Sequence, residues 1–199
     1  MVSVPSQMLA LGTQAPPFAL PDTDGGVVSL ESARSARAVL VMFICNHCPY
    51  VKHVRHELAR IGHEYGPKGV AMFAINSNDW TKYPDDAPAA MAEEKRTIGY
   101  PFPYLADESQ QVALAYQAAC TPDLYVFDAG LRLVYRGQLD DSRPKNDLPV
   151  TGKDLRAALD AVLAGLPVPE PQVPSIGCNI KWKPGKEPRY FGGGSGLVV

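Results

Sequence analysis

Buried apolar runs alternating with amphipathic stretches predict an α/β fold, a central mixed β-sheet flanked by helices. Three observations carry this expectation. Residues 38–44, AVLVMFI, and 70–76, VAMFAIN, are short unbroken apolar runs that suit strands covered on both faces. Between them Val51, Val54, Leu58 and Ile61 recur at helical spacing, with Lys52, Arg55, Glu57 and Arg60 interleaved. Strand, helix and strand then make a right-handed parallel unit. Residues 124–128 and 132–139 flank Ala129-Gly130, the pattern of an antiparallel hairpin.

The remaining elements follow in order. FALPDTDGGVVSL, residues 18–30, suits an N-terminal β-hairpin extension, and GPKG at 66–69 ends the first long helix. Residues 89–98 read as a helix stopped by Gly99 and Pro101. PYLAD at 103–107 reads as a short strand, and ESQQVALAYQ at 108–117 as a helix capped by Asp107 or Ser109. Residues 151–165 begin with a capping residue, keep Leu155, Leu159, Val162 and Leu163 on one face, and stop at Gly165. The expected order is β-α-β-α-β-α-β-β-α, in a domain spanning residues 1–165.

From Leu166 the composition changes, with five prolines between 167 and 184 and a glycine triplet at 192–194. Cys178, Trp182, Tyr190 and Phe191 are too many ordering side chains for an inert linker. Residues 166–199 are therefore expected to be a C-terminal arm that packs on the domain.

At 199 residues the chain is long enough to bury a full core. Apolar residues at 46% and charged residues at 20% exclude a disordered chain, and no stretch approaches the length of a membrane span. With a net charge of -2 and no dense basic cluster, nucleic acid and anionic membranes are not expected partners. The N-terminus lacks a basic segment followed by an apolar one, so a cytoplasmic location is expected, or a periplasmic one if a leader has been removed. Four cysteines are too few to staple a chain this size, which points them toward chemistry.

Cys45-Asn46-His47-Cys48 stands at the junction of the first buried strand and its helix. At a helix N-terminus, unsatisfied amides and the macrodipole favour negative charge, so Cys45 is expected to ionise below an ordinary thiol and act as nucleophile. Cys48, taken to lie deeper in the helix, is then the resolving thiol of a reversible disulfide. A metal reading competes: Cys45 and Cys48 with Cys120, Cys178 or a histidine would make a tetrahedral zinc set, but a second close ligand pair is missing. Two inert core thiols are the third reading.

FICNHCPYVK after a buried strand, CTPDLYVFD some seventy residues later, and a closing hairpin and helix resemble the thioredoxin superfamily, in particular its peroxiredoxin-like, AhpC/TSA-related members of the TlpA and ResA type. The resemblance covers residues 10–165. It implies a thioredoxin-like fold, a thiol-disulfide oxidoreductase, a cis-proline at Thr121-Pro122, and a backbone edge there that pairs with an extended segment of a partner. Asn46, His47, Thr121 and Pro122 are then tuning or partner-binding positions. His47 would stabilise the thiolate and raise the reduction potential, or else be a solvated helix residue. No metal or organic cofactor is required. The implied partners are a protein or small-molecule disulfide or thiol substrate and an electron-donating thiol system.

Several residues leave alternatives open. Cys120 and Cys178 are either further thiols of the site or buried small side chains. A peroxidase needs T-x-x-C, and the position three before Cys48 is Cys45, with Arg55 and Arg136 as unplaced guanidinium donors. A non-enzymatic redox-sensing module is a third class. Asp140, Asp141 and Asp147 read as a solvated loop, Arg132 and Arg136 as outward-facing, and Trp80 as flanking the redox site or anchoring its loop.

Overall fold

The structure, a computed structural model, describes residues 3–191. The glycine triplet at 192–194 lies outside them. In chain order the strands are β1 (Ser3–Pro5), β2 (Ala19–Pro21), β3 (Val27–Ser29), β4 (Ala38–Phe43), β5 (Val70–Asn76), β6 (Tyr104–Ala106), β7 (Cys120–Thr121), β8 (Asp123–Asp128), β9 (Leu133–Gly137) and β10 (Ile176–Asn179). The helices are α1 (Pro49–Tyr65), α2 (Pro88–Ile98), α3 (Gln111–Ala115) and α4 (Lys153–Leu163).

β4 is the centre of the main sheet because all six of its side chains are buried. Alternation sends Ala38, Leu40 and Met42 to one face, where they meet Val51, Val54, Leu58 and Ile61 of α1, Met91 of α2 and Leu155 and Leu159 of α4. Val39, Val41 and Phe43 face the other side, against Val112 and Ala113 of α3 and Phe18 and Leu20 of the N-terminal hairpin. The sheet order is β6-β5-β4-β8-β9, with β4, β5 and β6 parallel and β8 and β9 antiparallel to their neighbours. It is the mixed, helix-flanked sheet of a thioredoxin-like fold. Among the described residues no helix is long and apolar enough to cross a membrane.

Three local expectations need correction. α1 starts at Pro49, so Cys48 is its N-cap, in extended conformation at φ -69° and ψ 124°, and Cys45 lies in the loop before it. The cause is Pro49: its ring disfavours helical backbone at the preceding residue, and its missing N–H is harmless only in the first turn. The N-cap position of α3 is Gln110, at φ 65° and without a side-chain capping bond, while the two expected residues take the first-turn amides, Ser109 Oγ accepting from Gln111 at 3.2 Å and Asp107 from Ala113 at 3.0 Å. Asp140 is buried rather than solvated, and one of its oxygens accepts the Thr151 and Gly152 amides at 2.6 and 2.7 Å, bracing the turn into α4, whose own first amides go to Thr151 Oγ1 and the Leu139 carbonyl.

The arm returns to the domain as part of a second, three-stranded sheet, β1-β10-β7. β10 lies between the other two, with Cys178 opposite both Ser3 and Thr121. Beyond it, Lys181 and Lys183 amides donate to Asn78 Oδ1 and Gln110 Oε1, each at 2.8 Å, and Trp182 stands edge-on to Tyr190 within the second core. At Gly177 an added Cβ would collide with the Thr121 carbonyl. Gly177→Ala is therefore expected to lift β10 from β7, read as faster amide exchange at 177–179 while the amides of β4 and β5 keep their protection.

Candidate active site

The loop between β4 and α1 carries Cys45, Asn46, His47 and Cys48 to the C-terminal edge of the sheet. Facing it is the β7–β8 junction, where the Thr121–Pro122 bond is cis. Thr121 meets both cysteines: its Oγ1 lies 3.3 Å from Cys45 Sγ, and its carbonyl accepts from Cys48 Sγ at 3.2 Å. The third sulfur comes from the arm. Cys178, paired with Thr121 across the sheet, hydrogen-bonds to Cys48. The edge expected to receive a partner's segment is thus covered by this chain's own β10.

Cys120 is turned away. Adjacent strand residues point to opposite faces, so Cys120 packs with Val4 and Ala119, and burial pushes its thiol up.

The electrostatics distinguish the two loop cysteines. Burial pushes the Cys45 thiol well up, and hydrogen bonding to Cys48 and the nearby Asp86 carboxylate add to this. Cys48 is held below an ordinary thiol by hydrogen bonds from Cys178 and then Cys45; burial opposes this, and the Val51 amide in the first turn of α1 assists. Cys178 goes up, through its bond to Cys48 and then burial. Clustered thiols share one charge, so the first proton leaves easily and the others late. Cys48, at the helix end, is thus the thiol pushed down, and Cys45, the one the spacing marked out, is pushed up. Cys45, Cys48 and Cys178 are all buried, with 3% exposure at most.

Asp86, which the sequence reading passed over, organises the loop. It is fully buried; one oxygen accepts the Asn46 amide at 2.8 Å, and the other accepts His47 Nδ1 at 2.5 Å and Asn78 Nδ2 at 2.8 Å. Burial raises its carboxyl, but these bonds outweigh burial and leave it below the usual range. Tyr83 stacks on the His47 ring at 5.2 Å, and His47 Nε2 is buried without a hydrogen-bond partner. Asn46 is committed internally: its Nδ2 donates to the Asp85 carbonyl and its Oδ1 accepts the Tyr104 hydroxyl. Trp80 packs half-buried against the core cluster that holds both cysteines.

A Cys45 sulfur, a His47 nitrogen and an Asp86 oxygen lie within 4.8 Å of one another, a donor set with metal-binding chemistry. Asp86 already accepts from His47 and Asn78 through one oxygen and from the Asn46 amide through the other, so an ion would have to displace the bonds that build the loop. The guanidiniums are also engaged. Arg55 donates to Glu94 at 3.1 Å, and Arg136, half-buried rather than outward-facing, donates to the Leu9 carbonyl and Gln172. Beside Pro122 a cleft lined by Tyr50, His53, Arg143 and Ile176 holds about 20 Å³, on the order of one water.

The model of the AhpC/TSA family matches residues 11–136. The chain belongs to the AhpC/TSA family. The family places it among redox proteins of the thioredoxin and peroxiredoxin class. An uncharacterized conserved protein from Geobacillus kaustophilus is 63% identical, with a TM-score of 0.91, over 92% of this chain and 98% of that one. A hypothetical protein, SMc02350, from Sinorhizobium meliloti 1021 is 50% identical, with a TM-score of 0.90, over 91% and 99%. A putative thiol:disulfide interchange protein DsbE from Chlorobium tepidum shares the fold, at 20% identity and a TM-score of 0.62, over 78% and 99%. No curated protein matches.

Two outcomes follow. Asp86→Asn removes charge-assisted bonds and is expected to cost about 2–3 kcal/mol near neutral pH. Because the folded carboxyl lies below its unfolded value of about 3.9, the stabilisation is present above that pH and lost as pH falls through the folded value. The gap between wild-type and variant unfolding curves should therefore narrow in acid. Cys178→Ala removes the leading donor to Cys48, so the first thiolate, followed by ultraviolet absorbance, is expected to titrate at higher pH than in the wild type.

Proposed function

We propose that the protein is a thiol-disulfide oxidoreductase that cycles between a Cys45–Cys48 dithiol and disulfide. The observation that carries this reading is the convergence of both sulfurs on Thr121, beside a cis-proline, with one of them at a helix N-terminus. Cys48, the thiol pushed down, gives up the proton it shares with the Thr121 carbonyl and attacks a substrate sulfur; the substrate's other sulfur leaves as a thiolate. Cys45 then gives up its proton, displaces the bound sulfur and closes the bridge, and a thiol donor reverses the process. This inverts the order of attack expected from the spacing. His47, fixed by Asp86 and Tyr83, tunes the Cys45 side of the pair.

A thiol peroxidase is the second reading, favoured by the AhpC/TSA match and by Cys48 at the helix N-cap. Against it, Cys45 stands where the threonine would be, and Arg55 and Arg136 are bonded elsewhere.

The test is turnover of a disulfide substrate and of hydrogen peroxide by the same protein. Disulfide exchange lost in Cys48→Ser and in the double variant Cys45→Ser, Cys178→Ser supports the first reading; peroxide turnover that survives Cys45→Ser favours the second. A thiolate stabilised on Cys48 stabilises the reduced pair, so its potential is expected above thioredoxin's value of about -270 mV. A redox titration at or below that value contradicts the electrostatic account.

A further inference from the structure

The arm brings a third sulfur to a pair that needs only two. β10 occupies the strand position beside Thr121, held on its other edge by β1. Its close approach depends on Gly177, which leaves the Thr121 carbonyl unobstructed and sets Cys178 against Cys48. Cys178 is 3% exposed, and its arm is anchored on both sides: the Ser6 amide donates to the Ser175 carbonyl at 2.8 Å, and the Asp79 amide to the Lys181 carbonyl at 2.8 Å. The cleft beside Pro122 has room for about one water, so a strand from another protein has no place there while β10 is seated.

We propose that Cys178 is a third catalytic thiol, and that β10 is a built-in exchange partner occupying the site of an external strand. The proposal rests on the dithiol reading above. Starting from the Cys45–Cys48 disulfide, the Cys178 thiol gives up its proton and its sulfur attacks Cys48 Sγ. The Cys48–Cys178 bond forms, the Cys45–Cys48 bond breaks, and Cys45 leaves as a thiolate that takes up a proton. One disulfide is present before and after, so no outside oxidant or reductant enters this step. Cys48 is common to both bridges, as the thiol that interacts with each of the other two. Oxidising equivalents then reside either in the loop or across to the arm, and the second bridge ties β10 to α1 covalently. Such a protein suits a low-molecular-weight disulfide, because a substrate that must pair as a strand competes with the arm.

The experiment uses the full chain, oxidised with limiting oxidised glutathione, quenched in acid, alkylated and mapped by peptide mass spectrometry. In the wild type both Cys45–Cys48 and Cys48–Cys178 bridges are expected. Cys45→Ser is expected to lose the glutathione adduct on Cys48 and to hold the Cys48–Cys178 bridge as its main oxidised form. The double variant Cys45→Ser, Cys178→Ser is expected to retain glutathione on Cys48. If the wild type makes Cys45–Cys48 alone at every oxidant ratio, and Cys45→Ser retains the adduct, the third-thiol proposal is overturned while the dithiol reading stands. If the wild type makes no Cys45–Cys48 bridge and the double variant takes up no glutathione, the dithiol reading itself fails. The wild-type map decides the question even if the serine variants fold poorly.

Discussion

Forming a negative charge among three close, buried sulfurs is the step that constrains everything around them. A buried thiolate is costly unless donors surround it, and here the donors are the other two thiols and the first-turn Val51 amide. The location of the charge follows from its neighbours. Asp86 stands near Cys45 and repels charge there, while the end of α1 attracts it to Cys48. Moving the helix start by a few residues, which Pro49 prevents, would redistribute the charge and alter which sulfur is poised to react.

The parts of this site that were legible in the sequence are the local ones. Cys45 and Cys48 are three positions apart, and the strand and helix that flank them follow from alternation and helical spacing within a short window. The sheet likewise rests on continuous apolar runs, so its mixed character was readable. The N-terminus of α1 was legible in principle, since proline at the first helical position is a known start signal; the spacing of the cysteines drew the reading toward Cys45 instead. Thr121-Pro122 was recognisable only by resemblance, because nothing local distinguishes it from the chain's other prolines.

What was not legible depends on pairings distant in sequence. Asp86 sits in PDDAP, which reads as a solvent-exposed turn, and only the fold buries it beneath residues forty positions earlier. Asp140 lies in a run of polar residues and braces the turn into a helix that begins thirteen positions later. β10 is four residues within a proline-rich segment, too short to declare itself by alternation, and it is a strand because β1 and β7 offer it edges. In each case a polar or short segment gains its meaning from a backbone edge or a set of amides left unsatisfied elsewhere.

The placement of β10 has a consequence for how the protein comes into being on the ribosome. Cys48 is made 130 residues before Cys178, an interval of roughly 7 to 26 s at ordinary translation rates. During that time the main sheet can assemble while the two loop sulfurs still lack their cover, and β7 shows a bare edge. The nascent chain thus passes through a stage in which its most reactive atoms are open to any passing disulfide, and the last strand to emerge is the one that closes them off.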